Sequence, residues 1–190
     1  GSEFVRALEN SDYECIAPDE SLFNITDYSA TKKIIAGLKP DVIINCAAYN
    51  AVDDAEDKPD VAFNVNRDAV KNLAEICRES GIFLIHYGTD YVFDGTKMDF
   101  YTEEDIPNPL GIYGKSKLEG ETAVRNILEN SLVFRLSWVF GRGRQNFLFK
   151  LSQWAEKNRV LKISADEVSV PTYTGHIVEA TMDALEKGLS

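Results

Sequence analysis

Two spacings of hydrophobic residues alternate along the chain. Short continuous apolar runs are typical of buried strands, whereas apolar residues that recur every three or four positions are typical of amphipathic helices. The runs predict strands at residues 13–17, 42–46, 82–87, 132–136 and 160–163. The helical spacing predicts helices at residues 3–9, 27–38 and 59–81, from residue 113, at residues 147–157 and from about residue 174. Alternating strands and helices imply right-handed crossovers, so we expect an α/β fold with a doubly wound parallel sheet.

Capping and helix-breaking residues mark several of these boundaries. Thr26 or Asp27 is a suitable cap for the second helix, and Pro40 ends it before the next strand. Pro59 fits the first turn of the third helix, because the N–H that proline lacks has no helical partner there. That helix is expected to end near Gly81.

Composition and charge limit the classes of partner. The chain has 190 residues, of which 44% are hydrophobic and 27% charged, so it is long enough for one sizeable core. Its net charge of -11 argues against nucleic acid or an anionic membrane as the main partner, because both need clustered cations. No apolar run approaches the roughly 18 residues of a membrane span. Cys15, Cys46 and Cys77 are widely spaced without a CxxC pattern, so we expect reduced, buried thiols in a cytoplasmic protein.

A threonine, a tyrosine and a lysine form the candidate catalytic set. Thr89 follows the apolar run at residues 82–87, where its hydroxyl can orient a substrate oxygen. Tyr113 opens a predicted helix, and Lys117 follows one turn later on the same face. A nearby ammonium lowers a tyrosine pKa from its usual value of about 10 towards the range of a general acid or base. We therefore expect a redox active site in which Lys117 lies beside the Tyr113 phenol and lowers its pKa.

Several motifs in a fixed order narrow this interpretation. They are Asn45-Cys46-Ala47-Ala48-Tyr49, Thr89-Asp90-Tyr91-Val92-Phe93-Asp94-Gly95, Asn108-Pro109-Leu110, Tyr113-Gly114-Lys115-Ser116-Lys117-Leu118 and Arg135-Leu136-Ser137-Trp138-Val139-Phe140-Gly141. The chain resembles the extended branch of the short-chain dehydrogenase/reductase superfamily and, within it, the dTDP-4-dehydrorhamnose reductase family. The resemblance implies a Rossmann-like, dinucleotide-binding domain at residues 1–165 and the start of a small substrate-binding lobe at residues 166–190.

This resemblance implies an oxidoreductase that uses NADPH or NADH to reduce the C4 keto group of a dTDP-4-keto-6-deoxy sugar, in nucleotide-sugar and cell-surface polysaccharide biosynthesis. The implied catalytic residues are Thr89, Tyr113 and Lys117. The implied cofactor-binding residues are Asn45, Ala47, Ala48, Tyr49, Tyr113 and Lys117. The implied substrate-binding residues are Thr89, Asp90, Tyr91, Trp138, Asn146 and Phe147. The expected partners are the dTDP-sugar substrate and, in a homodimer, a second copy of the chain, and no catalytic metal is implied.

Other interpretations stay open at this point. An extended-family epimerase or dehydratase would use the same tyrosine and lysine but retain its cofactor through the cycle. A sister group that resembles this family serves as the non-catalytic regulatory subunit of methionine adenosyltransferase. Thr89 also fits an ordinary cap, and Trp138 fits a core position. A solvated face, rather than a metal site, is the expectation for the acidic residues Asp53, Asp54, Glu56 and Asp57.

The chain also departs from the family pattern. It does not open with the strand and glycine-rich turn that hold a pyrophosphate. We expect that turn to lie outside the printed sequence, to have been removed by truncation with Gly1-Ser2 as a cloning remnant, or to have been lost from the protein. The family continues beyond Ser190. Gly88 stands where a serine is usual, and Gly111 stands where an asparagine is usual before the Tyr-x-x-x-Lys helix.

Overall fold

The chain forms two compact units in a computed structural model. The structure describes residues 1–9, 11–19, 21–143, 146–163 and 168–188. The larger unit contains Ile16–Arg135, and the smaller unit contains Ser2–Cys15 and the segment that begins at Leu136. The predicted domain boundary between residues 165 and 166 lies outside the described residues and stays a prediction.

The larger unit is built on a three-stranded sheet with helices between the strands. The strands are β1 (Val42–Asn45), β2 (Phe83–Thr89) and β3 (Ser131–Leu136), in the order β1-β2-β3. The strands β1 and β2 are parallel, with Asn45 opposite His86. The helices are α2 (Tyr28–Leu38), α3 (Val52–Asp57), α4 (Pro59–Phe63), α5 (Ala69–Ser80) and α6 (Ile112–Ile127). The predicted α/β fold with a parallel sheet is confirmed.

Several helix ends follow the local signals in the sequence. The Asp27 carboxylate accepts a hydrogen bond from the Ala30 N–H at 3.0 Å and caps α2. Pro59 occupies the first turn of α4. Gly81, with φ 69°, ends α5 in the left-handed conformation that a residue without a Cβ atom adopts at little cost. The predictions at these three boundaries are confirmed.

The predicted helix at residues 59–81 contains a wider turn in its middle. Asn64–Asp68 form a π-helical turn between α4 and α5. Gly120 of α6 packs against this turn so closely that a Cβ atom on Gly120 would lie 2.0 Å from the Asn66 carbonyl oxygen. Such turns are rare and occur often near functional sites. Hydrophobic periodicity does not reveal them, because the helix continues on both sides.

The main core of the larger unit lies where α2, α5 and α6 pack on the sheet. Its buried residues are Ile35, Val70, Leu73, Ala74, Ile76, Cys77, Ile82, Leu84, Val124 and Leu128. Full burial of one large aliphatic side chain contributes roughly 1.5–3 kcal/mol. The cluster therefore fixes α5 and α6 against the strands. None of the helices in the described ranges is long and apolar enough to cross a membrane.

The three cysteines are free and differ in exposure. Cys77 is buried in the core, as predicted, but Cys15 and Cys46 are exposed. The prediction of buried thiols is wrong for these two residues, because Cys46 follows the last residue of β1 and Cys15 lies in an irregular segment. An apolar neighbourhood in sequence does not bury a side chain where no element packs over it.

The smaller unit combines helices with a short sheet. Its described helices are α1 (Ser2–Leu8), α7 (Phe147–Lys157) and α8 (Thr174–Glu186). Two strands that the sequence did not predict, β4 (Val139–Phe140) and β5 (Thr172–Tyr173), pair in parallel. The predicted strands at residues 13–17 and 160–163 are wrong. Both segments are irregular, and apolar residues such as Tyr13 and Val160 are exposed rather than packed.

Candidate active site

The three candidate catalytic residues meet where β2 ends and α6 begins. Thr89 is the last residue of β2, and Tyr113 and Lys117 lie one turn apart in α6. All three residues are buried, with 4%, 8% and 3% of their surfaces exposed. Gly114 permits the close approach of α6, because a Cβ atom there would lie 2.3 Å from the Tyr91 carbonyl oxygen. The structure thus brings together the catalytic set that the sequence predicts.

The Tyr113 phenol lies among polar groups from three segments. It donates to Asn50 Oδ1 at 3.4 Å, and the Thr89 hydroxyl lies near it. The Tyr91 ring meets it edge on, with the ring centroids 5.6 Å apart. Burial raises the pKa of Tyr113 above its usual value, the Thr89 hydroxyl opposes this, and the Asp90 carboxylate adds to it. The prediction of a lowered Tyr113 pKa is wrong for this structure, which favours the protonated phenol.

The Lys117 ammonium is bound to the backbone of β2. Its Nζ donates to the Tyr87 carbonyl oxygen at 2.6 Å. Burial lowers the pKa of Lys117 to about 8, and the Glu121 carboxylate opposes that shift. Lys117 is not among the groups that shift the pKa of Tyr113, which corrects the expected pairing of the ammonium with the phenol. The position of Lys117 in the site is set by the strand.

Thr89 caps a turn and also lies in the candidate active site. Its hydroxyl accepts a hydrogen bond from the Tyr91 N–H at 3.3 Å and caps the 3₁₀ turn Asp90–Val92. The same hydroxyl lies 3.2 Å from Asp90 Oδ1 and contacts the Tyr113 phenol. Thr89 therefore both caps the turn, as one interpretation of the sequence had it, and lies beside the Tyr113 phenol. Tyr91 is 44% exposed, so its ring is accessible next to the site.

Asn45, the first candidate for cofactor binding, is fixed by two buried contacts. Its Oδ1 accepts from the Ala47 N–H at 3.0 Å, and its Nδ2 lies 3.1 Å from His86 Nδ1. Because an amide nitrogen only donates, His86 Nδ1 is the acceptor and the neutral ring carries its proton on Nε2. Burial lowers the pKa of His86 to about 3, and the Lys117 charge adds to that effect. A neutral histidine thus orients the amide that shapes the loop after β1.

The loop after β1 (residues 46–50) contains the other cofactor candidates. Ala47 is exposed and Ala48 is half-buried, so only small side chains cover the backbone there. Dinucleotides bind outside the carboxyl ends of parallel strands, where such a surface lets phosphates and ribose approach the chain. The residues present fit a dinucleotide at this end of the sheet.

A buried asparagine links this loop to α6. Asn66 Oδ1 accepts from the Tyr49 N–H at 2.9 Å, and Asn66 Nδ2 donates to the Tyr49 carbonyl oxygen and to Ser116 Oγ, each at 3.0 Å. The Ser116 hydroxyl donates to the Tyr113 carbonyl oxygen at 2.8 Å. Sequence reasoning missed Asn66. The sequence did carry a signal for it: Asn66 follows Ala62 by four residues, so a polar residue stands on the apolar face of the predicted helix.

Asp53, Glu56 and Asp57 of α3 are exposed, as predicted for a solvated face, but Glu56 and the partly exposed Asp54 also bind neighbouring segments. The Glu56 carboxylate accepts from the Ile112 N–H at 2.7 Å and caps the start of α6. Gly111 leaves room for it, because a Cβ atom there would lie 2.8 Å from Glu56 Oε1. Asp54 accepts from the Tyr49 hydroxyl, which connects α3 to the loop after β1.

Asp94 organises the loop between the 3₁₀ turn and α6. Its carboxylate accepts from Asn108 Nδ2 at 2.9 Å, from the Thr96 N–H at 3.0 Å and from the Tyr101 hydroxyl at 3.0 Å. These donors, Asn108 foremost, hold the pKa of Asp94 well below its usual range. The Phe93 and Tyr101 rings stack with centroids 4.2 Å apart. The Asp94 carboxylate and this ring pair thus join distant parts of the loop, and the Asp105 carboxylate adds contacts to Lys97 and Thr102.

The remaining substrate candidates belong to the smaller unit. Trp138 adopts a positive φ of 42°, and its ring meets Phe147 edge on with centroids 4.7 Å apart. The Asn146 amide is used locally, since Oδ1 accepts from the Phe149 N–H at 3.0 Å and Nδ2 donates to the Gly141 carbonyl oxygen at 3.0 Å. A cavity of about 350 Å³ is lined by Trp138, Val139, Phe140, Phe147, Leu148, Ser169 and Pro171. Its walls are aromatic and apolar, as in pockets that bind flat rings.

The parallel sheet, with small residues after β1 and a tyrosine and a lysine at the carboxyl end of β2, defines a Rossmann-like α/β protein. The model of the family described as RmlD substrate binding domain matches residues 1–190. The chain belongs to this family.

Known proteins agree with that membership. The chain is 41% identical over 186 residues to a dTDP-4-dehydrorhamnose reductase of Sinorhizobium fredii, an alignment that covers 98% of this chain and 63% of the relative. The crystal structure of a dTDP-4-dehydrorhamnose reductase from Clostridium acetobutylicum superposes with a TM-score of 0.95 at 34% identity, covering 98% of this chain and 66% of that one. The reductase from Bacillus anthracis, solved in complex with NADP, gives a TM-score of 0.93 at 30% identity, covering 98% and 66%. The chain thus spans less than two thirds of the length of these relatives.

Proposed function

We propose that this chain is the larger part of an NADPH- or NADH-dependent reductase that converts dTDP-4-dehydrorhamnose to dTDP-L-rhamnose. The observation that carries the proposal is that the buried Tyr113 and Lys117 of α6 lie at the end of β2, where the buried Thr89 is its last residue. The relatives that share the family are dTDP-4-dehydrorhamnose reductases, which supports the same substrate. The three free cysteines are compatible with a reducing compartment such as the cytoplasm.

The proposed roles of the chain's own residues follow from their protonation states. Reduction of a keto group places negative charge on its oxygen, which then needs a proton. The raised pKa of Tyr113 favours the protonated phenol, which is the proposed donor. Thr89 shares the same oxygen, so that two donors are in place before charge develops. Lys117 donates to the Tyr87 carbonyl oxygen of β2 and is proposed to contact the cofactor from there.

Cofactor and substrate are assigned to different residues in the proposal. Asn45, Ala47, Ala48 and Tyr49 would hold the cofactor together with Tyr113 and Lys117. When bound, NADPH or NADH supplies the hydride. Asp90, Tyr91, Trp138, Asn146 and Phe147 are the proposed substrate contacts beside Thr89. The apolar cavity at Trp138 and Phe147 supports contact with the flat base of the nucleotide sugar, because rings bind by stacking on such walls.

The test measures oxidation of reduced cofactor with dTDP-4-dehydrorhamnose by the complete protein and by its Tyr113→Phe variant. We expect net oxidation by the wild type and a rate at least about a hundredfold lower for the variant, because the general acid is removed. Tyr13→Phe is the matched control, since Tyr13 is 49% exposed, and it should retain full activity.

The outcome also separates the alternatives. An epimerase or dehydratase would convert the nucleotide sugar without net loss of reduced cofactor. A regulatory subunit would show no turnover. If the wild type consumes no reduced cofactor with any 4-keto nucleotide sugar, the proposed reaction is refuted.

A further inference from the structure

One face of α6 presents three ionisable residues to the end of β2 on successive turns. Tyr113 lies near Thr89, and Lys117 binds the Tyr87 carbonyl oxygen. Glu121 follows one turn after Lys117 on the same face. It is 1% exposed, which is rare for a carboxylate and requires compensating partners.

The partners of Glu121 come mainly from β3. Arg135 donates from Nε to Glu121 Oε2 at 3.0 Å and from Nη2 to Oε1 at 2.6 Å, a two-pronged pair. The Arg135 guanidinium lies 5.0 Å from the Phe93 ring centroid, which covers it. Arg125 also contacts Glu121 Oε1 at 3.0 Å, but its own side chain is 53% exposed. The carboxylate is therefore fixed by Arg135.

Gly88 makes room for this pair. A Cβ atom on Gly88 would lie 3.1 Å from Glu121 Oε2 and 3.3 Å from Arg135 Cγ. The glycine lies between Tyr87, which holds Lys117, and Thr89, which contacts Tyr113. Three consecutive residues of β2 thus contact three consecutive turns of α6. Gly88, which stands where serine is usual in the family, is the residue that leaves space for the ion pair.

The charged and titratable groups around Lys117 come from three elements. Tyr113 and Glu121 belong to its own helix, His86 faces it from β2, and Arg135 lies beyond Glu121 on β3. His86 is neutral and the Tyr113 phenol is protonated, so the anionic charge in this group is that of Glu121.

We propose that Glu121 is a positioning residue of this site: its buried carboxylate, fixed by Arg135 against Gly88, keeps Lys117 cationic and seated on the Tyr87 carbonyl. The proposal rests on the proposed function, because Lys117 is there one of the residues that hold the cofactor. Glu121 itself acts through Lys117 and contacts neither substrate nor cofactor in this account.

The electrostatics agree with the geometry. Burial lowers the pKa of Lys117 to about 8, and the Glu121 charge raises it. Without that charge the pKa falls further, so Lys117 loses its proton at a lower pH. A reaction that needs the ammonium is lost as pH rises through this pKa. Removal of the Glu121 charge must therefore move the alkaline limit of activity to lower pH.

The test is Glu121→Gln in the complete protein, with two measurements. Lysine labelled with ¹³C at the ε position reports the titration of Lys117 by NMR, with Lys117→Arg to assign the signal. We expect the Lys117 midpoint to fall by about one pH unit, the effect of losing one nearby opposite charge. The alkaline limb of kcat should fall by the same amount. Arg125→Gln is the matched control, because Arg125 contacts the same carboxylate from solvent, and it should shift neither midpoint.

A second variant covers the case in which Glu121→Gln does not fold, because it leaves the Arg135 charge buried and unpaired. Replacing both partners, as in Glu121→Gln with Arg135→Gln, removes that charge, and the Lys117 midpoint should again fall. An unchanged midpoint in the folded variant, or a kcat reduced equally at all pH values, overturns the proposal. If the wild type lacks reductase activity, the proposed function fails, whereas the NMR titration still decides the role of Glu121.

Discussion

Replacement of Gly120 by alanine tests whether the contact between α6 and the π-helical turn sets the position of the catalytic helix. The new Cβ atom would lie 2.0 Å from the Asn66 carbonyl oxygen. The Asn66 oxygen belongs to the backbone of the π-helical turn and the new Cβ atom is fixed to the backbone of α6, so no side chain can rotate away. The helices must separate instead, and Tyr113 moves with α6.

The expected magnitude follows from two opposing terms. Overpacking of a tight interior contact costs about 1–3 kcal/mol, and a backbone-to-backbone contact belongs at the upper end. Alanine is favoured over glycine within a helix by about 1 kcal/mol. We therefore expect Gly120→Ala to lower the free energy of unfolding by about 2 kcal/mol net. The proposed reductase activity should fall as well, because the Tyr113 phenol is displaced from Thr89.

Gly37 provides the matched control. It also lies in a helix, α2, but a Cβ atom there would meet nothing within 4 Å. Gly37→Ala should raise the free energy of unfolding by up to about 1 kcal/mol, through helix propensity alone. Urea unfolding followed by far-UV circular dichroism measures both variants. If Gly120→Ala proves as stable as the wild type, the close contact between α6 and the π-helical turn is refuted.

Two further predictions concern a carboxylate and the thiols. Asp94→Asn should lower the unfolding temperature near pH 7, because the donors around Asp94 depress its pKa in the folded state. The ionised Asp94 therefore stabilises the folded protein above the unfolded-state pKa of about 4. This stabilisation is lost as the pH falls through the pKa of Asp94 in the folded state. A thermal melt series in which the difference between variant and wild type persists at the lowest pH would contradict this reasoning. Iodoacetamide at pH 8 should modify Cys15 and Cys46 quickly and Cys77 slowly in the folded protein, since burial raises the pKa of Cys77 to about 12. Peptide mass spectrometry after timed quenching measures the three rates. Equal rates would refute this prediction.

The sequence predicted the elements of the larger unit because their signals are local. Asp27, Pro59 and Gly81 each act on the backbone within a few residues, and the runs that form β1 and β2 are apolar whatever their neighbours. The strands β4 and β5 have two residues each and pair across more than thirty positions, so no period exists to detect them. The segment at residues 13–17 has the apolar pattern of a strand but is irregular, because a strand also needs a neighbouring strand to pair with.

In the candidate site, the sequence predicted which residues meet but not their electrostatics. The spacing of Tyr113 and Lys117 placed them on one face of a helix. The direction of the Tyr113 pKa depends on burial and on Asp90, and the partner of Lys117 is a backbone carbonyl of a distant strand. Both properties, the Tyr113 pKa and the Lys117 partner, arise from the packing of α6 on β2. The spacing of residues along the helix does not determine that packing.

Trp138 combines an unfavourable backbone conformation with a proposed contact to the substrate. A bulky residue at φ 42° carries a local cost of about 1–3 kcal/mol, which glycine or asparagine would largely avoid. A protein library randomised at this position and sorted only for folding should therefore enrich those two residues. Sorting for turnover of a nucleotide sugar should instead recover tryptophan, and the contrast between the two selections would measure how much the ring contributes to its cavity.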